Sequence, residues 1–433
     1  MKNKMGIISD DLTGANDSGV QLAIKKLSTS VVFDYKNLSK DMVSDVLIVD
    51  TDSRAKEEED AYKAVVEAAS FLKRNGYKHI YKKVDSTLRG NLEAELAALE
   101  SVYKPDMIVI APAYPKMRRQ TINGHHFVDG KIITETEFSN DPKTPVQESF
   151  LPKLLNSKNN RKITLVNKEV WHKSKEEINS FIQSSLVEGN KWFVCDAESE
   201  EDLINIAKLF SEQNKSIIWA GSAGLIEYLP GMLHLMPSSV KEQEDMEIQT
   251  TLIVSGSLSP VTKKQLYKVD RLQDSYFIQV DPVDLINGSY RLDEFMEIIQ
   301  QNKEHNHFVL YVEADDDNRK RAIEAGKILG LSKNDVSEAI SNGLGIISTH
   351  IVKNAPFIKG LVLTGGDTAK AVCRALGVTE MDLYMEIEPG LPFGKIRTEM
   401  KSYWAVTKAG GFGQEDSLIK ALEFLINNRR VIV

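Results

Sequence analysis

Residues 5–23 read MGIISDDLTGANDSGVQLA. A short apolar run, Met5 to Ile8, ends at two adjacent carboxylates, Asp10 and Asp11, and the chain turns through Thr13 and Gly14 into an amphipathic segment. An apolar run of strand length, a polar turn and a helical pattern make up the repeating unit of an α/β domain. The same rhythm recurs in DVLIVDTD, HIYKKVDS, MIVIAPAYP, KITLVN, WFVCDAES and IIWAGSAG. Between these runs lie amphipathic stretches such as EEEDAYKAVVEAASFLKRNG, where Gly76 marks a helix stop. Largely parallel sheets of this kind bind ligands beyond the carboxyl ends of their strands. The polar surprises fall at those ends: Asp10-Asp11, TDSR at Thr51 to Arg54, and VDSTLRGN at Val84 to Asn91.

A chain of 433 residues exceeds one ordinary core, and two domains are expected. From Pro230 to Thr250 the text changes to PGMLHLMPSSVKEQEDMEIQT, rich in proline, serine and mixed charge. The expected division is a domain over 1–230, a linker over 231–250 and a second domain over 251–433. In the second domain the α/β rhythm restarts with TLIVSGS, YFIQVDP, HFVLYVEADD, GLVLTGGDTA and YWAVTKAGGFG. The fold class is therefore α/β, two domains, each with a largely parallel sheet flanked by helices. Segment 107–150 reads as a long, irregular and functional loop.

The composition, 42% hydrophobic and 27% charged, is that of an ordinary globular protein. A net charge of −8 argues against a nucleic-acid partner, which needs a basic surface. Cys195 and Cys373 lie in apolar runs without CxxC spacing and read as buried free thiols, which fits a reducing cytosol. The apolar stretch near the N-terminus is too short for a signal peptide, and no run reaches the roughly 18 residues of a membrane span, so a cytoplasmic enzyme without a membrane partner is expected.

Asp10 and Asp11 admit three readings: a cap for the following helix, a cation site, or a general base whose pKa is raised by its neighbour. In YKKVDSTLRGN, six polar side chains (Lys82, Lys83, Asp85, Ser86, Thr87 and Arg89) crowd eight positions. Either this is a solvated turn with a helix cap at Ser86 or Thr87, or Lys and Arg hold a carboxylate while Asp, Ser and Thr bond hydroxyls. Arg54 would face the same mouth as a bidentate clamp. His125 and His126 would point to opposite faces of a strand and so would not share a metal ion, but one of them, with Arg118 or Arg119, could touch the substrate.

In the second half, Gly365-Gly366-Asp367-Thr368 joins a strand to a helix, a geometry that admits phosphate to free N–H groups. VSGSLSP places Ser259 as helix cap and Pro260 in the first turn. KAGGFGQEDS is a third glycine turn, opening a helix, and EIEPGLPFGK reads as an exposed Gly-Pro loop. Together they suggest a phosphate cradle. No GxxxxGK[ST], GxGxxG after a strand, HExxH or GxSxG is present.

The ordered series SDDLTGANDSGVQLA, TDSR, KKVDSTLRGN, APAYP with INGHHFVDG, DPKTPV, WAGSAGL, VSGSLSP, LTGGDTA, EIEPGLPFG and KAGGFG resembles the four-carbon acid sugar kinase family over nearly the whole chain. The resemblance implies an N-terminal domain binding a four-carbon sugar acid, a C-terminal domain binding ATP, an active site in the cleft between them, and transfer of the γ-phosphoryl to the C4 hydroxyl with Mg²⁺. Carried over by position, it places Asp10 or Asp11 around the sugar acid, and one of these two is the expected carboxylate that orients or deprotonates the attacking hydroxyl. Arg54, Lys83, Asp85, Ser86 and Thr87 fall around the sugar acid, with Arg89 added from the polar cluster itself; Ser255 or Ser257, Gly365, Gly366, Asp367, Thr368, Gly410 and Gly411 fall around the nucleotide. The KKVDSTLRGN form resembles the threonate and erythronate kinases more than the 3-oxo-tetronate kinases, and D-threonate is the expected substrate. KMRRQ at Lys116 to Gln120 is more basic than the family pattern. The residues do not single out metal ligands, and a homodimer is the expected assembly. Two rival readings are a hydrolase with an Asp nucleophile, whose DxDxT-like spacing is wrong here, and a non-catalytic sugar-acid sensor.

Overall fold

The structure is a computed structural model that describes residues 3–33, 35, 44–141, 143–156, 161–237, 243–398, 401–428 and 430–432. Positions 238–242 of the expected linker lie outside the described residues. The chain divides into two compact units, Met1–Val31 with Asp41–Ser239, and Val32–Lys40 with Val240–Val433.

The first unit is built on β1 (Met5–Ser9), β2 (Thr29–Val32), β3 (Val46–Asp50), β4 (His79–Lys83) and β5 (Met107–Ala111). Further along the chain come a small sheet, β6 (Arg119–Ile122), β7 (His125–Val128) and β8 (Lys131–Ile132), and then β9 (Ile163–Val166), β10 (Trp192–Cys195) and β11 (Ile217–Gly221). The main sheet runs β2-β3-β1-β4-β11-β5-β10-β9. β1 pairs in parallel with β3 and β4, β11 with β4 and β5, and β10 with β5 and β9. Helices α1 (Leu12–Ala23), α2 (Glu58–Arg74) and α3 (Leu92–Tyr103) flank it. Every residue of β1 and β5 is buried, as their unbroken apolar text requires.

The register brings the strand ends level. Ser9 lies opposite both Asp50 and Lys83, Lys83 opposite Gly221, and Gly221 opposite Ala111. The residues that follow these ends therefore open onto one edge of the sheet.

The second unit holds β12 (Gln243–Asp245), β13 (Thr250–Ser255), β14 (Ser275–Gln279), β15 (His307–Tyr311) and β16 (Ile358–Thr364). These are followed by β17 (Glu380–Glu386), β18 (Pro392–Arg397), β19 (Ser402–Lys408) and β20 (Arg430–Ile432). The order β14-β15-β13-β16-β19 is parallel throughout, and β18 runs antiparallel to both β19 and β17. β12 and β20 form a separate antiparallel pair.

Three local expectations are corrected. Segment 107–150 begins as β5 and then folds into the β6-β7-β8 sheet, whose two turns, Asn123-Gly124 and Asp129-Gly130, have all four residues at positive φ. EIEPGLPFGK is not an exposed loop: it is the turn from β17 to β18, with Leu391 and Phe393 buried. The 409–413 glycine loop does not open directly into a helix, which starts only at Ser417. Gly76, at φ +81°, follows the C-cap of α2 as expected, and both cysteines are free and buried.

Candidate active site

At the sheet edge of the first unit, the two aspartates that follow β1 have different surroundings. Asp11 caps α1: its Oδ1 accepts from the Gly14 N–H at 2.8 Å, and its side chain is 21% exposed. Asp10 is 2% exposed, and its carboxylate accepts from Arg54 Nε at 2.7 Å and Nη2 at 3.2 Å. Arg54 Nη1 reaches Asp11 Oδ2 at 2.7 Å, and Nη2 lies 4.0 Å from Asp85 Oδ1. One guanidinium thus stands among three carboxylates. The loop carrying it is tied to the same turn, since the Ser53 and Arg54 N–H groups donate to the Asp10 carbonyl and the Thr51 hydroxyl donates to the Ser9 carbonyl.

Burial raises the Asp10 carboxyl's pKa, but the charges of Arg54, Lys82 and Lys83 outweigh it and hold the group below its ordinary value. Asp85 is buried too, yet Arg54 and Arg89 keep it ionised far below the usual carboxylate range. Its Oδ2 accepts from Arg89 Nε at 2.6 Å and from the Thr87 hydroxyl, and Arg89 Nη1 reaches Asp141 Oδ2 at 3.1 Å. Lys83 Nζ donates to the Val84 carbonyl, and no carboxylate forms an ion pair with it among the described residues. A Cβ on Gly14 would lie 2.8 Å from that Nζ and 2.8 Å from Asp11 Oδ1, so the missing side chain makes room for both.

Lys82 and Lys83 leave β4 in opposite directions. Lys82, fully buried, pairs with Glu95 of α3 at 3.0 Å, and Glu95 also accepts from the Ser53 hydroxyl. Ser86 and Thr87 cap no helix, because α3 starts at Leu92. Instead Ser86 offers its carbonyl to buried His126, whose Nε2 donates at 2.9 Å while its Nδ1 accepts from Thr121 Oγ1 at 3.2 Å. Burial lowers the His126 pKa to about 4, so the ring is neutral. The basic KMRRQ side chains turn to acids: Lys116 pairs with Glu227, and Arg118 and Arg119 approach Asp129.

Sequence reasoning singled out neither Glu95 nor Asp141 as part of this network, and it took His125 or His126 as a substrate contact rather than as a buried support for Ser86. The signal for Glu95 was a carboxylate on the apolar stripe Leu92, Leu96, Leu99 of α3. Asp141 opens the DPKTPV motif, but its pairing to Arg89 depends on the path of the segment between them.

In the second unit the register places Ser255 opposite Tyr311 and Thr364, and Thr364 opposite Lys408. Gly365, at φ +99°, stands at the N-cap of the Gly366–Leu376 helix, so Asp367 and Thr368 lie in its first turn. Ser259 caps the Pro260–Val269 helix, as its sequence implied. Ser257 and Thr368 crowd the sites where Cβ atoms on Gly410 and Gly256 would stand, so these turns are closely packed. Lys408 Nζ donates to the carbonyls of Ala409, Gly410 and Phe412 and holds the glycine loop, with Gly411 exposed on it. The Ser255 and Thr364 hydroxyls are buried without a hydrogen-bond partner among the described residues. No group of three or more His, Cys, Asp or Glu side chains among the described residues is placed to hold a metal ion.

Residues 5–229 match the family model of a sugar-binding N-terminal domain, and residues 252–418 that of a nucleotide-binding C-terminal domain. A D-threonate kinase of Salmonella typhimurium is 31% identical over 98% of each chain. A D-erythronate kinase of Heliobacterium modesticaldum is 28% identical over 97% of this chain and 96% of its own. A crystal structure of a Haemophilus influenzae protein superposes with a TM-score of 0.77 at 23% identity, covering 97% of this chain and 100% of that one. Matched by both domain models, and by sugar-acid kinases from end to end, the chain belongs to the four-carbon acid sugar kinase family.

Proposed function

We propose that the chain is an ATP-dependent kinase that phosphorylates the C4 hydroxyl of D-threonate in preference to D-erythronate or a 3-oxo-tetronate. The observation that carries this reading is the Arg54 cluster at the level strand ends of the first unit, where Asp10, Asp11 and Asp85 surround one guanidinium. Such an edge offers acceptors for sugar hydroxyls and cations for a carboxylate. Lys83 and Arg89 take the substrate carboxylate, Asp85, Ser86 and Thr87 its hydroxyls, and Arg54 fixes the two aspartates. Asp11, the more exposed of the pair, orients the attacking hydroxyl and accepts its proton at Oδ2. D-Threonate is preferred on the KKVDSTLRGN form and on the 31% identical D-threonate kinase.

ATP fits the second unit. The buried, unpartnered Ser255 and Thr364 hydroxyls, the Gly365-Gly366 turn and the helix N-terminus behind it suit an anion, and Ser257, Asp367, Thr368, Gly410 and Gly411 complete its surroundings. When bound, ATP supplies the phosphoryl group, and this chain's residues contribute positioning and charge neutralisation. The described residues form no all-protein Mg²⁺ cage. The setting proposed is the cytoplasm.

The test is ADP release from ATP with a panel of D-threonate, D-erythronate and 3-oxo-tetronates. Release that depends on a sugar acid, with the highest kcat/KM for D-threonate, is expected. No release with any of them overturns the kinase reading, and a higher value for another acid reassigns the substrate.

A further inference from the structure

Beside the glycine turns of the second unit, a cavity of about 230 Å³ opens between the Pro260–Val269 helix, the middle of β14 and the end of β15. Its walls are of two kinds. Leu266, Phe277, Tyr311 and Tyr267 are apolar or aromatic, whereas Asp270 and Glu313 bring carboxylates. Lys263 adds an ammonium, but that group is paired with Glu313 at 2.7 Å and also donates to the Ala314 carbonyl at 3.2 Å. The two acids outnumber the one cation, so the cavity repels a polyphosphate. Acceptors on aromatic walls instead suit a flat ring carrying an exocyclic amino group.

Ser257 lines this cavity and also borders the turns assigned to the phosphates: a Cβ on Gly365 would lie 3.7 Å from the Ser257 Cβ, and Ser257 packs directly on Gly410. Tyr267 is 59% exposed although it is a cavity wall, with Arg271 stacked over its ring at 4.4 Å. A large aromatic left in solvent and held in place by a cation is prepared to cover a ring.

We propose that this cavity is the base subsite of the nucleotide: a 6-aminopurine lies against Tyr267 and Tyr311, its amino group donates to Asp270 or Glu313, and its phosphates pass Ser257 to the Gly365 and Gly410 turns. The inference rests on the kinase reading above, and the experiment separates the two.

Titration calorimetry on the full chain measures binding of ATP, GTP and inorganic tripolyphosphate to the unaltered protein, Tyr267→Ala and Asp270→Asn. Exposed Tyr267 can be truncated without opening the core. Each variant is expected to weaken ATP roughly tenfold, the loss of a base-stacking or base-edge contact. Tripolyphosphate affinity and the KM for the sugar acid should not change, and the preference of the unaltered protein for ATP over GTP should shrink in Asp270→Asn. If ATP binds both variants as it binds the unaltered protein, the base subsite is overturned and the kinase reading stands. If both variants weaken ATP and tripolyphosphate alike, the contacts belong to the phosphates and the base subsite is again overturned. If the unaltered protein binds no nucleotide, both readings fall.

Discussion

The Arg54 guanidinium grips the Asp10 carboxylate with two donors, Nε at 2.7 Å and Nη2 at 3.2 Å, in a turn where Asp10 is 2% exposed. Removing one partner of a buried pair leaves the other charged and desolvated, at a cost of about 3–5 kcal/mol. Arg54→Ala is therefore expected to lose about 3 kcal/mol at pH 7, read by urea denaturation. The Asp10 carboxyl is held below its unfolded value, so the pair's contribution is present above roughly pH 4 and is lost as pH falls below that. The gap between Arg54→Ala and the unaltered chain should narrow in that acid range. A gap that stays constant down to pH 2.5 is incompatible with this ion pair as its cause.

Asp11 and Asp10 separate under the same chemical change. Asp11→Asn keeps a side-chain oxygen for the Gly14 N–H, and Asn caps helices about as well as Asp, but it gives up the ion pair of Oδ2 with Arg54 Nη1, so stability should fall by no more than about 1 kcal/mol. Its turnover should fall roughly 10²- to 10⁴-fold, the usual worth of a general base. Asp10→Asn should instead lower the melting temperature, because it leaves Arg54 short of its best acceptor. Steady-state kinetics and melting curves on both variants decide this, and an Asp11→Asn enzyme with full turnover removes Asp11 from the chemistry.

These roles show which parts of the molecule were legible in the sequence. The parallel strands could be read because burial on both faces demands unbroken apolar text, as in MGIIS and MIVIA. The site residues could be read because they follow those strands and the register levels the strand ends. The small sheet over 119–132 was missed because RQTI is too polar to resemble a strand and so leaves the His125–Val128 strand without a visible partner, although the Asn-Gly and Asp-Gly turns announce it. β2 was missed because Thr29–Val32 is short and half hydroxylated. Sequence could not divide Asp10 from Asp11, since capping geometry is fixed by backbone direction at the end of β1. Nor could it give the reach of Glu95 to Lys82 or of Asp141 to Arg89, which depends on how α3 and the 141–146 segment pack.

His126 offers a prediction on pH. Its folded-state pKa, about 4, lies below the unfolded value near 6.5 because the ring is buried. The unfolded chain thus binds more protons between those limits, and stability must fall as pH drops through that window, by at most on the order of 1.4 kcal/mol per pH unit. His126→Gln cannot take up that proton. Its stability should be lower than that of the unaltered chain at pH 7 but less dependent on pH between 6.5 and 4. Denaturation midpoints across this range check the point, and identical slopes for both proteins would mean that His126 does not titrate as its burial requires.

Gly14 gives the sharpest separation of stability from function. Alanine is better than glycine in a helix by about 1 kcal/mol, and Gly14 lies in the first turn of α1 without positive φ. A Cβ there would meet Lys83 Nζ and Asp11 Oδ1 at 2.8 Å and Ser9 Oγ at 3.1 Å, and the first of these is the far end of a flexible side chain that can move away. Gly14→Ala should therefore fold with stability within about 1 kcal/mol of the unaltered chain, while its Lys83 ammonium is displaced from the site. If Lys83 receives the substrate carboxylate, the KM for the sugar acid should rise roughly tenfold or more, the worth of one charge-assisted hydrogen bond, with the KM for ATP unchanged. Kinetics with each substrate varied in turn, beside a melting curve, test the claim. A variant with an unaltered sugar-acid KM would detach Lys83 from substrate binding, and one that fails to fold would show that Ser9 and Asp11 cannot yield to the added methyl group.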